Sequence, residues 1–240
     1  MPEEGAEGPG ILMIANFEFK DTILKVRCDR DISDKVKKFI VEKRQELEGY
    51  IARNPGFRTS LEPLDAIGGP KIAQIMAEAG KKADVGPMAA VAGTISELLA
   101  DAAVGWGAGW IIVDNGGDIC LCGDKEFTIS IFAGSSPLSD RIGFRVNAGD
   151  KKLGICTSSA SVGHSISFGD ADSVTVVAKS APLADAFATA IGNESKGKRA
   201  IERGIGFASR HLGSIDGALV IKGDRIGRVG VLPDLVKIVH

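Results

Sequence analysis

An α+β fold, with a largely antiparallel sheet flanked by helices, is predicted by three features of the 240-residue sequence. The middle is a run of short strand-like segments, WIIVD, ICLC, FTISIF, IGFRV, LGICT and SVTVVA, broken by Gly, Asp and Asn turns. Helical patterns lie before and after this run rather than between its members. Such segregation in blocks points to α+β rather than to a strictly alternating α/β architecture.

The elements follow in order. Residues 11–28 read as two strands, ILMIANFEF and TILKVRC, joined by a polar turn at Lys20-Asp21. Ser33 is a suitable N-cap. Val36, Phe39, Ile40, Leu47, Tyr50 and Ile51 then recur at helical spacing, which predicts an amphipathic helix over 34–53, stopped by Asn54-Pro55-Gly56. The stretch FRTSLEPLDAIGG reads as an irregular connection. Pro70 suits a first helical turn. Ile72, Ile75, Met76 and Ala79 give a short buried stripe that Gly80 should end, and residues 88–104 read as an apolar helix with Met88, Val91, Ile95, Leu98 and Leu99 inward. After the strands come helices near 182–192 and 196–210. A hairpin, GALVIKG and RIGRVGVL, turns at Gly223-Asp224.

With 44% hydrophobic and 25% charged residues, the composition is that of an ordinary globular chain. A net charge of -2 offers no basic excess for nucleic acid. No run of about 18 apolar residues suggests a membrane span. The acidic, Gly-rich start, MPEEGAEGPG, lacks the features of a signal peptide. Residues 1–9 are expected to be a flexible tail and 10–240 one domain. Cys28, Cys120, Cys122 and Cys156 form neither a disulfide ladder nor a paired zinc pattern, so reduced thiols and a cytoplasmic location are expected.

Several segments could carry chemistry. Asp114-Asn115-Gly116-Gly117-Asp118 lies between two strands: its glycines allow a close backbone approach to an anion, or simply a tight hairpin turn. Small residues from Gly86 to Gly93 open a helix whose N–H groups could face a phosphate. Gly93 inside that helix costs about 1 kcal/mol relative to Ala, which close packing or a ligand should offset. Asp185 and Thr189 are four apart on one helix face, where a carboxylate and a hydroxyl can share Mg²⁺. Alternatively, Thr189 bonds back to its own helix. Thr157, Ser158, Ser159, Ser161 and His164 crowd a segment after a strand, as a binding loop or as ordinary structure. Cys120 and Cys122 fall on one strand face, as core packing or, less simply, a metal site.

Taken together, the segments resemble the ApbE family, the FAD:protein FMN transferases. Val91-Ala92-Gly93 through Glu97 resembles the family's A-K-G-x-x-x-D, and Gly116-Gly117-Asp118-Ile119 its G-G-D-I turn. Cys156-Thr157-Ser158-Ser159 and His164 through Gly169 resemble its T-S-G-D-Y and H-x-x-x-P-x-T-G segments loosely. Ala184 through Ala190 matches A-D-A-x-A-T-A closely. The similarity spans roughly residues 86–193. Departures are Ala92 for the Lys, Glu97 for the Asp, Ser159-Ala160-Ser161 for G-D-Y, and the absent P-x-T-G. GPMAAVAG, the TSS…GHSxSFG segment and LADAxATAIGN are similar to a branch of the superfamily without a lipoprotein signal, found in anaerobic archaea and bacteria and associated with sulfur assimilation towards homocysteine.

The resemblance implies a T-fold-like domain binding FAD or another flavin nucleotide with Mg²⁺, and transferring an FMN or nucleotidyl group. It implies Asp185 and Thr189, with a backbone carbonyl near Val91 or Ala92, as metal ligands. Gly93, Gly116, Gly117, Asp118, Thr157, Ser158 and Ser159 would line the nucleotide, and His164 and Asp185 would be catalytic. The alternative is a non-transferase nucleotide-binding or accessory protein in sulfur assimilation. Expected partners are a nucleotide-type small molecule, a second copy in a homodimer and a sulfur-assimilation protein, with neither nucleic acid nor membrane.

Overall fold

The computed structural model describes residues 13–20, 22–159 and 169–238, so the expected tail lies outside the described residues. An eight-stranded antiparallel sheet spans the molecule. It is built from β1 (Met13–Phe19), β2 (Thr22–Cys28), β3 (Ile111–Asn115), β4 (Asp118–Gly123), β7 (Gly149–Ser159), β8 (Ser173–Ala178), β9 (Gly217–Lys222) and β10 (Arg225–Gly230), in that order. A smaller sheet contains β5 (Phe127–Ser130), β6 (Ile142–Val146) and β11 (Asp234–Lys237), with β6 at its centre. Strand β11 had no signal in the sequence reading.

The pleat sorts the side chains. On one face of the large sheet, Leu24, Val26, Val113, Cys120, Cys122, Cys156, Val176 and Val220 pack under the helices. On the other, Ile112, Leu121, Ile155, Val177 and Leu219 pack against Ile129, Phe144 and Val146 of the small sheet. A fully buried Leu, Ile or Phe contributes about 1.5–3 kcal/mol, so both faces hold the sheet in place.

The helices are α1 (Ser33–Arg53), α2 (Gly56–Thr59), α3 (Lys71–Ala83), α4 (Val91–Gly105), α5 (Ala181–Glu194) and α6 (Ala200–Ser209). Three local expectations need correction. Ser33 is the first helical residue rather than the N-cap, and its hydroxyl donates to Asp31. The connection after Asn54 contains the short turn α2, seated by buried Phe57. Helix α3 runs past Gly80 to Ala83 and stops at Asp84, whose φ is 57°, with the Val85 N–H returning to the Gly80 carbonyl. Pro87–Gly105, a 3₁₀ turn followed by α4, has the length and apolar character of a membrane span, contrary to the sequence reading. Here Gly93, Ile95, Leu99, Ala100 and Ala103 of this stretch are buried in the core.

Candidate functional site

The site forms where α4 and α5 meet the ends of β3, β4 and β7. The turn Asn115-Gly116-Gly117-Asp118 is a two-residue hairpin with φ of 68° and 100° at its glycines, values that favour residues without a Cβ. It carries Asp118 onto the helix-facing side of β4, opposite Cys156 in register. The Gly117 N–H donates to the Asp114 carboxylate at 2.8 Å, so part of this anion nest is occupied from within the turn. The Gly117 carbonyl accepts from the Thr157 N–H, which ties the bend to β7.

Asp185 reaches the same place from α5. Its Oδ2 accepts the Gly93 N–H at 2.8 Å, and Asp185 is only 7% exposed. The Ala92 N–H also bonds to it. Amides in a first helical turn have no partner within the helix, so Asp185 caps α4 from outside. Burial raises the Asp185 carboxyl from 3.8 to about 7, against the pull of the Gly93 and Ala92 amides. Asp118 is pushed well above the usual carboxylate range, first by burial and then by the neighbouring Asp185 charge, against a hydrogen bond from the Cys156 thiol. The site is therefore a pair of acids that resist losing both protons.

The cost of Gly93 inside α4 is explained by contact. A Cβ there would lie 2.4 Å from the Ala181 carbonyl oxygen and 2.9 Å from Asp185 Cβ. One turn beyond Asp185, Thr189 is 5% exposed and its Oγ1 finds no hydrogen-bond partner among the described residues. The back-bond to its own helix is not made. Besides its place in the α4 ladder, the Ala92 carbonyl receives a long bond, 3.4 Å, from Asn115 Nδ2.

The hydroxyl-rich segment divides. Thr157, Ser158 and Ser159 belong to β7 rather than to a loop. By the pleat, Ser158 shares the helix-facing side with Cys156 and Val174. Thr157 and Ser159 point to the opposite face, opposite Thr175 and Ser173, and the Thr157 and Thr175 hydroxyls lie 2.9 Å apart. Their side chains thus face away from Asp185. Residues 160–168, including Ser161 and His164, lie outside the described residues. His211 is structural: its Nδ1 meets the Phe207 carbonyl at 2.9 Å, and its ring packs on Phe207 and Phe187.

All four cysteines are buried and carry no disulfide among the described residues. Cys120 and Cys122 do share one face, where their thiols hydrogen-bond to each other. Burial and the Asp118 and Asp185 charges push the Cys156 thiol well up, which makes it a poor nucleophile.

The sequence reading noted Glu97 only as a departure. Its Oε2 accepts the Ala181 N–H at 2.7 Å, and its Oε1 lies 3.0 Å from Lys152 Nζ. Burial works against the Lys152 charge, but hydrogen bonds to Asp101 and Glu97 outweigh it and hold the ammonium protonated.

The family described as "AbpE bacteria" matches residues 13–212, and the chain belongs to it. It is 47% identical over 201 residues to a UPF0280 protein of Methanothermobacter thermautotrophicus, covering 82% of this chain and 78% of that one. It is 45% identical over 225 residues to a UPF0280 protein of Methanocaldococcus jannaschii, covering 90% and 88%. Among solved structures it resembles the flavin transferase ApbE from Vibrio cholerae, with a TM-score of 0.64 at 14% identity, covering 92% of this chain and 97% of that one. It also resembles the apo form of the Pseudomonas stutzeri flavinyl transferase ApbE, with a TM-score of 0.62 at 13% identity, covering 91% and 94%. The expected ApbE-like membership and α+β fold are thereby established.

Proposed function

We propose that the junction of α4, α5 and the Gly116–Gly117 bend binds the diphosphate of a flavin nucleotide with Mg²⁺, and that the chain transfers the FMN or nucleotidyl group. The observation that carries this reading is the Thr189 hydroxyl: buried, unpartnered among the described residues, and one helical turn from Asp185.

The donor chemistry fits a hard cation. Asp185, Thr189 and the second lone pair of the Ala92 carbonyl all offer oxygen. Among the described residues no group of three or more His, Cys, Asp and Glu side chains forms a metal cage. Mg²⁺ commonly takes one or two carboxylates and completes its shell with substrate phosphates and water, so a sparse protein set is what a nucleotide site needs. Bound there, Mg²⁺ would neutralise the diphosphate and the charge that builds during phosphoryl transfer. Asp185 would hold its place through the Gly93 and Ala92 amides. Gly116 and Gly117 would let the backbone approach the nucleotide, and Ser158 would add a hydroxyl on the helix side. Asp118 would keep a proton while Asp185 is charged. His164 is proposed as a hydrogen-bond partner or acid/base group.

The test is incubation of the purified protein with FAD and Mg²⁺, with AMP as readout. Transfer breaks the FAD phosphoanhydride, joins the FMN phosphorus to an acceptor oxygen and releases AMP. Release in the wild type that is lost in Asp185→Ala and Thr189→Val supports the reading. Tight FAD binding without AMP favours a nucleotide-binding protein, and absence of any FAD binding overturns the flavin site.

A further inference from the structure

We propose that Glu97 is the positioning residue of this site: from α4 it fixes the first turn of α5 and so sets where Asp185 and Thr189 stand. The inference rests on the reading of the Asp185 and Thr189 face as the ligand site.

The two helices cap each other. Asp185 of α5 accepts the Gly93 N–H at the start of α4, and Glu97 of α4 accepts the Ala181 N–H at the start of α5. The spacings match in opposite directions. Gly93 to Glu97 is four residues forward on α4, and Asp185 to Ala181 is four residues back on α5, one turn in each case. Two such bonds one turn apart define a register between antiparallel helices; either alone would leave the helices free to slide or pivot.

Ala181 is the seat of this contact. A Cβ on Gly154 would lie 2.5 Å from the Ala181 Cα, and one on Gly93 would lie 2.4 Å from its carbonyl oxygen. The Cys156 thiol sits 3.4 Å from the same oxygen. The α5 backbone thus rests on glycines of both α4 and β7, with no side chain between to adjust the fit.

Local capping does not replace Glu97. Ser180 stands at the N-cap of α5, and its side chain makes no capping bond to any described residue. Such a serine cap accepts from the second or third helical amide, so it would neither satisfy the first one, Ala181, nor fix α5 relative to α4. Glu97 does both, and its second oxygen is anchored by Lys152 of β7, which also binds Asp101 one turn further along α4 at 2.8 Å. A negative group at a helix start is also favoured by the helix dipole. Glu97 touches none of the proposed ligand atoms and acts only through α5.

The Gly93 amide is a direct reporter, because its partner is the Asp185 carboxylate. Hydrogen exchange by NMR should show Gly93 exchanging roughly tenfold faster in Glu97→Ala, the effect of losing one helix cap of ordinary strength, with the Ala100 amide deep in α4 unchanged. Glu97→Gln keeps an acceptor for Ala181 and should restore Gly93 to within about threefold of the wild type. The Mg²⁺ dependence of FAD binding, read from flavin fluorescence, should weaken about tenfold in Glu97→Ala. Unchanged Gly93 exchange in Glu97→Ala overturns the proposal. So does a parallel rise at Gly93 and Ala100, because that reports general loosening rather than positioning. If Glu97→Ala does not fold, Glu97→Asp keeps the charge and shortens the arm by one methylene, and the same rise confined to Gly93 is expected. A wild type that binds no FAD refutes the flavin reading, while the exchange result still decides the role of Glu97.

Discussion

Asp185 combines a structural cap with a buried titrating group, and this makes a quantitative prediction. In the folded protein the carboxyl holds its proton up to about pH 7, whereas in the unfolded chain it releases it near 3.8. Between those values the native state binds the extra proton. Stability therefore falls as pH rises, by about 1.4 kcal/mol per pH unit, and levels off above 7. Over the whole window the loss approaches roughly 4 kcal/mol. In metal-free buffer, Asp185→Asn keeps an oxygen for the Gly93 amide and removes the titration. Asp118 titrates in the same direction, raised partly by Asp185, so the difference between the two proteins is the quantity to plot. From pH 5 to 7 the variant should gain roughly 2–3 kcal/mol on the wild type, or about 5–10 °C in Tm for a chain of this size. Urea and thermal unfolding at half-unit pH steps measure it. Parallel pH profiles for the two proteins would refute the claim that Asp185 is buried in neutral form.

Thr189→Val removes a buried hydroxyl that has no partner among the described residues. It should raise urea stability by about 1 kcal/mol while weakening Mg²⁺-dependent FAD binding; a loss of stability would show that the hydroxyl is bonded. Gly93→Ala gains helix propensity but drives a methyl into Ala181, so a net loss of roughly 1–3 kcal/mol is expected by equilibrium unfolding. Lys152→Met leaves Glu97 and Asp101 facing each other without the cation. It should cost about 1–3 kcal/mol, read by equilibrium unfolding in urea. Phe144→Ala, between the two sheets, should cost about 3–5 kcal/mol.

The local geometry of several candidate-site residues was legible one residue at a time. The double glycine before Asp118 signalled a turn with positive φ, and both glycines adopt it. Gly93 signalled a compensating contact, which proved to be the Ala181 carbonyl. The i, i+4 rule placed Asp185 and Thr189 on one face because it depends only on helix geometry. Thr157, Ser158 and Ser159 read as following a strand because parity is hidden: β7 continues to Ser159, and only its pairing with β8 decides that Thr157 and Ser159 turn to the other face. Ser33 failed as a cap because Asp31 already accepts its hydroxyl and its amide.

The sequence by itself determined most strand and helix spans, the terminal hairpins and the four-residue spacing of the acid and hydroxyl on α5. These depend on periods and propensities that act over a few residues. Only the tertiary structure decided that Asp118 lies beside Asp185, that Glu97 reaches Ala181 from 84 residues away, and that the Cys156 thiol meets the Ala181 carbonyl. Contacts of that kind arise from packing two helices onto one sheet, and no local pattern encodes which distant backbone will fill the space left by a missing Cβ.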